Sequence, residues 1–410
     1  MALRVLGVFW CCCSLALTYT SAHGSLKQLS DSDDLEHYIK TVSEMNNDFA
    51  FRLYKAIVSG TQSKNVFFSP LSVSTALAAL SLGAGGETHE QIVSGLGFNS
   101  SVITDEEMHQ AFLNLLENLN QRTGVDLNVG TAVYVNDTFK PHPEFLENFK
   151  HLYLSEGFSV DFKSTTKTMN EINKYVEEKT HGKISKFTEN LDPQTIMYLL
   201  SYVYFKGKWS IPFNPNNTKE AKFHVDEETT VPVQMMYRSD YFHFHYDMKL
   251  ATIIVRLDYN DSFSMMLVLP NDLTVLQDAL RPHHITNWNK HIRKRNIELF
   301  LPKLSLKTSY SLINILAGIG MKDMFTEKAN FTGITDDEIC VSQAVHKSTL
   351  DVDEAGTTAT AVTQIHLSAR TGPQSVRFNE PFMIFIIDQK TKNIMFMGKI
   401  GNPLNSEINE

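Results

Sequence analysis

Apolar and polar positions follow a helical period in two segments near the N-terminus, residues 45–59 and 69–84. The apolar side chains that share one stripe of the first segment are Phe49, Leu53, Ala56 and Ile57. The second segment begins with Ser69, a residue type that caps helices, and Pro70, which fits a first helical turn. The pattern predicts a helix in each segment.

Runs of β-branched and aromatic residues bounded by turn residues predict strands. These runs are TAVYV, IIVRL, SMMLVLP, IELFLPKL, and the pair FMIFII and IMFMGKI across DQKTKN. Helical and extended segments alternate, and neither a linker nor a repeat divides the chain. We therefore predict one mixed α/β (α+β) domain over residues 44–405, followed by a short C-terminal tail, residues 406–410.

A run of fifteen uncharged residues separates Glu354 from Arg370. In an extended chain, one side of the run is small and then apolar: Thr357, Ala359, Ala361, Thr363, Ile365 and Leu367. The other side is mostly polar, and the run ends in an arginine followed by TGP, which is typical of an exposed turn. These features predict a segment with two states, a surface loop and a strand, with a reach of about 46 Å when extended.

The first 22 residues have the pattern of an export signal. Arg4 supplies a positive charge, Val5–Leu17 is apolar, and small residues precede a cleavage point after Ala22. The apolar stretch is shorter than the ~20 residues that span a bilayer, so we predict a secreted, extracellular protein without a membrane anchor. The acidic segment that follows, residues 23–43, is predicted to be flexible.

Composition is ordinary for a globular protein with a large core: 42% of residues are hydrophobic and 20% are charged. The net charge of −9 is spread along the chain, which argues against nucleic acid as a partner. Cys340 is the one cysteine outside the signal, so no internal disulfide is expected, and its apolar neighbours favour a buried, inert thiol. Five sequons are candidates for N-glycosylation: Asn99, Asn136, Asn216, Asn260 and Asn330.

Motifs of catalysis are absent from the sequence. It has no G-x-S-x-G elbow, no P-loop and no complete G-x-G-x-x-G, and THEQIV lacks the second histidine of a zinc protease helix. The histidines of PHH (282–284) and HFHYD (243–247) lack matching ligands at metal-site spacing. We predict that the protein is not an enzyme and has neither a metal nor a cofactor.

Several blocks in sequence order resemble the serpin family, specifically its secreted antitrypsin-like branch (clade A). They lie at residues 65–92, 172–184, 202–213, 344–361, 376–386 and 396–403. The resemblance implies about nine helices, three β-sheets and an exposed reactive-centre loop at about 354–375. It also implies a monomer that inhibits serine proteases.

The family's functional positions transfer residue by residue. The hinge corresponds to Glu354, Gly356, Thr357, Ala359, Thr360, Ala361 and Val362. The scissile bond lies fourteen residues after the hinge glycine and eight before Phe378, and both counts give Arg370–Thr371. The implied mechanism is suicide trapping, in which the cut loop inserts as a strand before water releases the acyl-enzyme. Arginine as the bait implies trypsin-like targets, whose specificity pocket holds an aspartate.

A buried polar cluster is implied at Ser69, Ser72, Ser201 and His346, where Ser201 replaces the asparagine usual in the family. A serine reaches less far and forms fewer hydrogen bonds, so the bonding of this cluster is an open question. A basic group could bind heparin or another polyanion, with a solvated helix end as the alternative: Arg281, Lys290, Arg293, Lys294 and Arg295. Two other functions stay open, a hormone or small-ligand carrier of the same family and a non-inhibitory substrate.

Overall fold

The computed structural model describes residues 32–60, 65–355, 373–404 and 407–409. Within these ranges the chain forms nine α-helices: α1 (Ser32–Gly60), α2 (Pro70–Ser81), α3 (Gly86–Leu96), α4 (Asp105–Asn120), α5 (Pro143–Tyr153), α6 (Thr165–Lys179), α7 (Leu273–Ala279), α8 (Pro282–His291) and α9 (Leu312–Gly318). The export signal, the hinge from Gly356 to Val362, and the Arg370–Thr371 bond lie outside the described residues.

Fifteen strands accompany these helices in the same part of the chain. They are β1 (Val66–Phe68), β2 (Val125–Asn136), β3 (Glu156–Val160), β4 (Met197–Gly207), β5 (Lys219–His224), β6 (Thr230–Asp247), β7 (Thr252–Asp258), β8 (Phe263–Pro270), β9 (Arg293–Pro302), β10 (Leu304–Ser311), β11 (Val341–Val352), β12 (Gln374–Arg377), β13 (Phe382–Asp388), β14 (Ile394–Ile400) and β15 (Glu407–Asn409). The mixed α+β class is confirmed, as are the antiparallel β13–β14 hairpin and the predicted strand runs, except that IELFLPKL is divided at Lys303 between β9 and β10.

The two predicted helices form where the periodicity places them, as part of α1 and as α2. Ser69 is the N-cap of α2, and its hydroxyl oxygen accepts a hydrogen bond from the Ser72 amide. Every residue of α2 is buried. α2 has no charged side chain, so it can be buried on all sides, and it packs between α1, α3 and the sheets.

The described strands form two hydrogen-bonded sheets where the resemblance implied three. One has nine strands in the order β1-β14-β13-β8-β7-β6-β9-β12, with β5 also paired to β6. The other has six, in the order β15-β10-β11-β4-β2-β3. The number falls to two because β6 is 18 residues long and pairs along its length with β5, β9 and β7, which joins two groups of strands into one sheet.

A main hydrophobic core lies between the sheets and the N-terminal helices, and β13, among the most deeply buried strands, belongs to it. A second cluster covers the opposite face of the six-stranded sheet. It packs Ile172 and Val176 of α6, with Phe162 and Phe187, against residues of β2 and β4. The six-stranded sheet is therefore covered on both faces beside β4.

Three sequence predictions need correction. The segment 23–43 was expected to be flexible, but residues 32–43 form the start of α1, where Val42 and Ser43 are fully buried against the core. Residues 407–409 of the expected tail form β15, which pairs in parallel with β10. Cys340 is half-buried rather than buried, and burial raises the pKa of its thiol.

No helix among the described residues is long and apolar enough to cross a membrane.

Candidate functional site

The centre of the six-stranded sheet is a directly paired couple of parallel strands, β4 and β11. Met197–Phe205 lies in register with Val341–Leu350. Parallel pairing is slightly less stable per residue than antiparallel pairing. The chain that leaves β11 at Val352 and turns back would run antiparallel to both strands. This couple is therefore a position where an added strand would exchange one parallel ladder for two antiparallel ladders.

The predicted polar cluster of Ser69, Ser72, Ser201 and His346 is brought together at this couple. All four residues are at most 1% exposed. The Ser69 amide donates to His346 Nε2 at 3.1 Å, and His346 Nδ1 lies 3.0 Å from Ser201 Oγ. Ser201 Oγ lies 2.7 Å from Ser72 Oγ, which in turn contacts the Tyr202 carbonyl oxygen at 3.2 Å.

These distances define the direction of each hydrogen bond. Because His346 Nε2 accepts from an amide, its proton is on Nδ1 and is donated to Ser201 Oγ. Ser201 then donates to Ser72, and Ser72 donates to the Tyr202 carbonyl. The serine that replaces asparagine therefore reaches both partners. This answers the question that the sequence left open about the cluster.

Polar residues that the sequence analysis missed extend the cluster along β10 and β11. Thr308 and Ser348 are register partners whose hydroxyl oxygens lie 2.6 Å apart, and Ser348 Oγ donates to the Phe67 carbonyl. The Tyr310 hydroxyl accepts from the Phe67 amide at 3.2 Å. The sequence did contain a sign of Ser348's role: it lies two residues after His346 on β11, so the two side chains share one face of the strand.

Burial of His346 makes the stability of the intact protein sensitive to acid. Burial lowers the pKa of His346 to about 3, whereas an unfolded histidine titrates near pH 6.5. Between these values the unfolded chain binds a proton that the folded chain does not. The stabilisation is complete above about pH 6.5 and is lost as the pH falls, by up to ~1.4 kcal/mol per pH unit from this residue. Thermal midpoints measured from pH 7 to 4 should show this decrease.

A His346→Gln variant should have a shallower pH dependence, although it is less stable at pH 7 because it removes partners of Ser69 and Ser201. His109→Gln is the matched control. Burial also lowers the pKa of His109, to about 4, but this ring contacts Tyr153, away from the cluster. Each variant should remove its own part of the slope. Equal slopes in wild type and His346→Gln would contradict the assignment.

Glu354, the one predicted hinge residue within the described ranges, is held at the end of β11. Its carboxylate is 2.8 Å from Lys303 Nζ and accepts from Thr218 Oγ1 at 2.6 Å. The residue is 8% exposed. Burial acts to raise the pKa of Glu354, but the hydrogen bonds from Lys303 and Thr218 outweigh it, so the pKa lies below its ordinary value. The carboxylate is charged and bound at neutral pH.

Asp353 fixes the chain immediately before the hinge. Its carbonyl oxygen accepts from Trp209 Nε1 at 2.8 Å, and its carboxylate lies 3.6 Å from Lys206 Nζ. Trp209 is 3% exposed and stacks on Tyr259 with ring centroids 4.2 Å apart. The start of the loop is therefore tied to Lys206 at the end of β4, to Trp209 and to the β9–β10 connection.

Reversing the hinge charge should weaken the intact fold. In Glu354→Lys, an ammonium group replaces the carboxylate beside Lys303 and leaves the Thr218 hydroxyl without its acceptor. We expect a loss of about 1–3 kcal/mol, because Lys303 is partly exposed and solvent screens part of the repulsion. The thermal midpoint measures this loss. Glu354→Lys combined with Lys303→Glu should recover most of it, and equal destabilisation in single and double variants would refute the ion pair's role.

The five predicted cations lie around α8, and all are exposed. Arg281 precedes the helix, and its guanidinium donates to the carbonyl oxygens of Asp278 and Leu280. Arg293 follows the helix and donates to the carbonyls of Lys290 and Ile292. Lys294 and Arg295 are successive residues of β9, so their side chains point to opposite faces of the sheet. The cations therefore form a broken stripe rather than one cluster.

The sequons differ in accessibility. Asn99 and Asn216 are exposed, and Asn260 and Asn330 are half-buried. Asn136 is only 9% exposed, and its side-chain amide donates to the Thr195 carbonyl at 3.2 Å. A glycan on that nitrogen would break this bond within a buried site, so the folded structure argues against Asn136.

Comparisons with known proteins agree with this geometry. The family model described as serpin (serine protease inhibitor) matches residues 44–403. An alpha-1-antiproteinase of Rattus norvegicus is 38% identical over 395 residues, which cover 95% of this chain and 96% of the relative. Serine protease inhibitor A3L of the same organism is 40% identical over 369 residues, covering 88% and 89% of the two chains.

Two solved human structures have the same fold. Human glycosylated kallistatin superposes with a TM-score of 0.83 at 36% identity, covering 93% of this chain and all of that one. Human thyroxine-binding globulin complexed with thyroxine gives 0.84 at 35% identity, covering 89% and 99%. With the parallel β4–β11 couple and its buried polar cluster, these matches show that the chain belongs to the serpin family, in its antitrypsin-like branch.

Proposed function

We propose that the protein is a secreted inhibitor of trypsin-like serine proteases that captures them covalently. The protease serine oxygen attacks the Arg370 carbonyl carbon, the Arg370–Thr371 C–N bond breaks, and the departing Thr371 amine takes the proton. This leaves an ester between the protease and Arg370. The freed loop then enters the six-stranded sheet between β4 and β11 and carries the protease away from the geometry that deacylation needs.

The observation that carries the proposal is the continuity between β11 and the uncharged run that follows Glu354. The strand couple that would receive the run is parallel and directly joined to it through Val352. The run has no charged side chain from Ala355 to Ala369. Burying such residues between two strands incurs no charge desolvation, which would otherwise cost several kcal/mol per ion.

The test is incubation with trypsin followed by boiling in detergent. An inhibitor of this kind gives a covalent complex at the summed mass of protease and cleaved inhibitor. A substrate gives only the fragment cut at Arg370, with active trypsin remaining, and a carrier without an accessible loop gives neither product. Either of the last two results would overturn the proposal.

A ligand carrier is the second candidate, and one cavity favours it. The cavity, of about 480 Å³, lies between α1, α8 and the β13–β14 hairpin. Its lining includes Asn47, Pro282, Ile285, Asn289, Lys290 and Ile394. This mixture of apolar and amide groups with two lysines, Lys290 and Lys392, and one carboxylate, Glu44, suits a small apolar molecule with an anionic end. Thyroxine is the probe to use. Saturable thyroxine binding that is weakened in the Lys290→Glu variant would support the carrier function.

We also propose that the exposed cations around α8 bind heparin or a similar polyanion. Their side chains reach solvent at both ends of the helix, where they can exchange small counterions for sulfate groups. Retention on immobilised heparin that decreases with salt would support this. A solvated surface without such retention would refute it.

A further inference from the structure

Three histidines meet beside α8. His243 and His245 share one face of β6, and His291 lies in the last turn of α8 with its ring centroid 6.0 Å from that of His245. All three rings reach solvent at least in part. We call His243, His245 and His291 the histidine cluster.

Cations from three neighbouring elements surround the histidine cluster. Arg256 of β7 is the register partner of His243, and its guanidinium lies 3.3 Å from His243 Nδ1. Lys294 of β9 is the register partner of His243 on the other side. Lys290 precedes His291 on α8, and the Arg293 charge acts on His245. At neutral pH this surface therefore already carries four cations.

Two carboxylates face the same histidines, and both already have partners. Asp258 lies 3.3 Å from His243 and 3.0 Å from Arg256. Asp247 accepts from Trp288 Nε1 at 2.8 Å and from the Lys249 and Leu250 amides. Burial alone would raise the pKa of both groups, but these bonds outweigh it and each pKa lies below its ordinary value. The carboxylates stay ionised during mild acidification, so each proton that a histidine binds adds one positive charge.

The neutral histidine rings of the cluster can each bind a further proton. His291 Nδ1 donates to the Asn287 carbonyl, so in the neutral ring Nε2 is the basic nitrogen. Burial lowers the pKa of His245, and the charges of His291 and Arg293 lower it further, while Asp247 acts in the opposite direction. His245 is therefore neutral at pH 7 and takes up its proton at a lower pH than an ordinary histidine does.

We propose that the α8 surface binds a sulfated polysaccharide more tightly as pH falls, because the histidine cluster joins the cations Arg256, Lys290, Arg293 and Lys294. This inference rests on the polyanion binding proposed above and adds its regulation. Sulfate groups remain ionised throughout this pH range, so only the protein changes charge. Binding favours protonated histidine and therefore raises histidine pKa values in the complex, which by linkage strengthens binding on acidification.

A flexible polysaccharide fits this surface better than an anionic membrane does. Arg281 and Lys290, at the two ends of α8, lie about 13 Å apart along the helix axis at ~1.5 Å per residue, which a linear chain can span. A membrane is a plane and would also face the rest of a protein with net charge −9. The repulsion between the anionic membrane and the negatively charged protein would extend over a Debye length of about 8 Å at physiological salt.

The experiment measures binding of the full-length secreted protein to heparin by calorimetry at about pH 7.5 and 5.5, on either side of the unperturbed histidine pKa. We expect the dissociation constant to fall at least ~10-fold at the lower pH, equivalent to a pKa change of about one unit on complex formation. A His245→Gln, His291→Gln double variant should bind like wild type at pH 7.5 and lose most of the gain at pH 5.5.

The matched control carries His151→Gln and His224→Gln, two exposed histidines outside the cluster. It should keep the full pH response, which separates the cluster from the general gain of charge on fifteen histidines. Heparin binding that is independent of pH, or an unchanged response in the double variant, would overturn this inference alone. Absence of heparin binding at both pH values would overturn the polyanion proposal with it. Binding to phosphatidylserine vesicles but not to heparin would overturn the choice of polysaccharide.

Discussion

Thr357→Arg should convert the protein from an inhibitor of trypsin into a substrate. Thr357 begins the small and apolar side of the loop run, and loop entry between β4 and β11 would bury its side chain. An unpaired guanidinium there costs several kcal/mol, and each 1.36 kcal/mol in the insertion barrier slows the step about tenfold. Hydrolysis of the acyl-enzyme would then outrun insertion.

The measurement is the number of inhibitor molecules consumed per trypsin molecule inactivated, which should rise more than ~10-fold. The matched control is Thr358→Arg, which places the same charge on the mostly polar side of the run. It should retain more of the inhibition than Thr357→Arg does, because that side chain lies on the opposite, mostly polar side of the run. If Thr357→Arg still traps trypsin one to one, the loop does not enter the sheet through this position.

Arg370→Gln should nearly abolish capture of trypsin while leaving the fold unchanged. A trypsin-like protease binds the bait arginine through a buried aspartate, and removal of one partner of such a pair costs about 2–5 kcal/mol. This corresponds to a reduction of about 30- to 4000-fold in the second-order rate of complex formation.

Arg370→Lys is the conservative control, since it keeps a cation for the aspartate and should lose far less. A second control is the thermal midpoint of the intact Arg370→Gln protein, which should equal that of wild type. If Arg370→Gln forms the complex at the wild-type rate, the scissile bond lies elsewhere in the loop.

Much of the fold follows from local patterns in the sequence. α2 forms where Ser69 caps an apolar run, and β13 and β14 pair across the turn that their composition predicts. β6 was missed because polar residues interrupt its β-branched and aromatic residues, HFHYD among them, so that it has no continuous apolar run. Its 18 residues are held in place by pairing with three other strands, and local periodicity in the sequence does not reveal such pairing. Residues 32–43 were misjudged for a similar reason, since Asp34 and Glu36 are exposed while Val42 packs inward.

Less of the candidate site could be predicted, because its contacts join distant positions. Glu354 binds Thr218 across 136 residues, and Ser201 binds His346 across 145. Family resemblance identified Ser201 and His346 as neighbours, but only the structure shows the direction of their hydrogen bonds. The residues around Lys303 do not indicate that it pairs with Glu354, because a lysine in a short connection between two strands is common. Long-range partners of this kind require the packed fold.

Covalent capture by loop insertion requires that the intact chain is metastable and gains stability when its loop enters the sheet. The direct measurement compares the thermal midpoint of the intact protein with that of protein cut between residues 363 and 369 by a metalloprotease, which forms no acyl-enzyme. About twelve added residues at ~1 kcal/mol per hydrogen bond, set against an unfolding entropy of about 2.1 cal/mol/K per residue, predict a rise of roughly 15 °C. The cut Thr357→Arg protein should show little of this rise. An unchanged midpoint after cleavage of the wild type would contradict the claim.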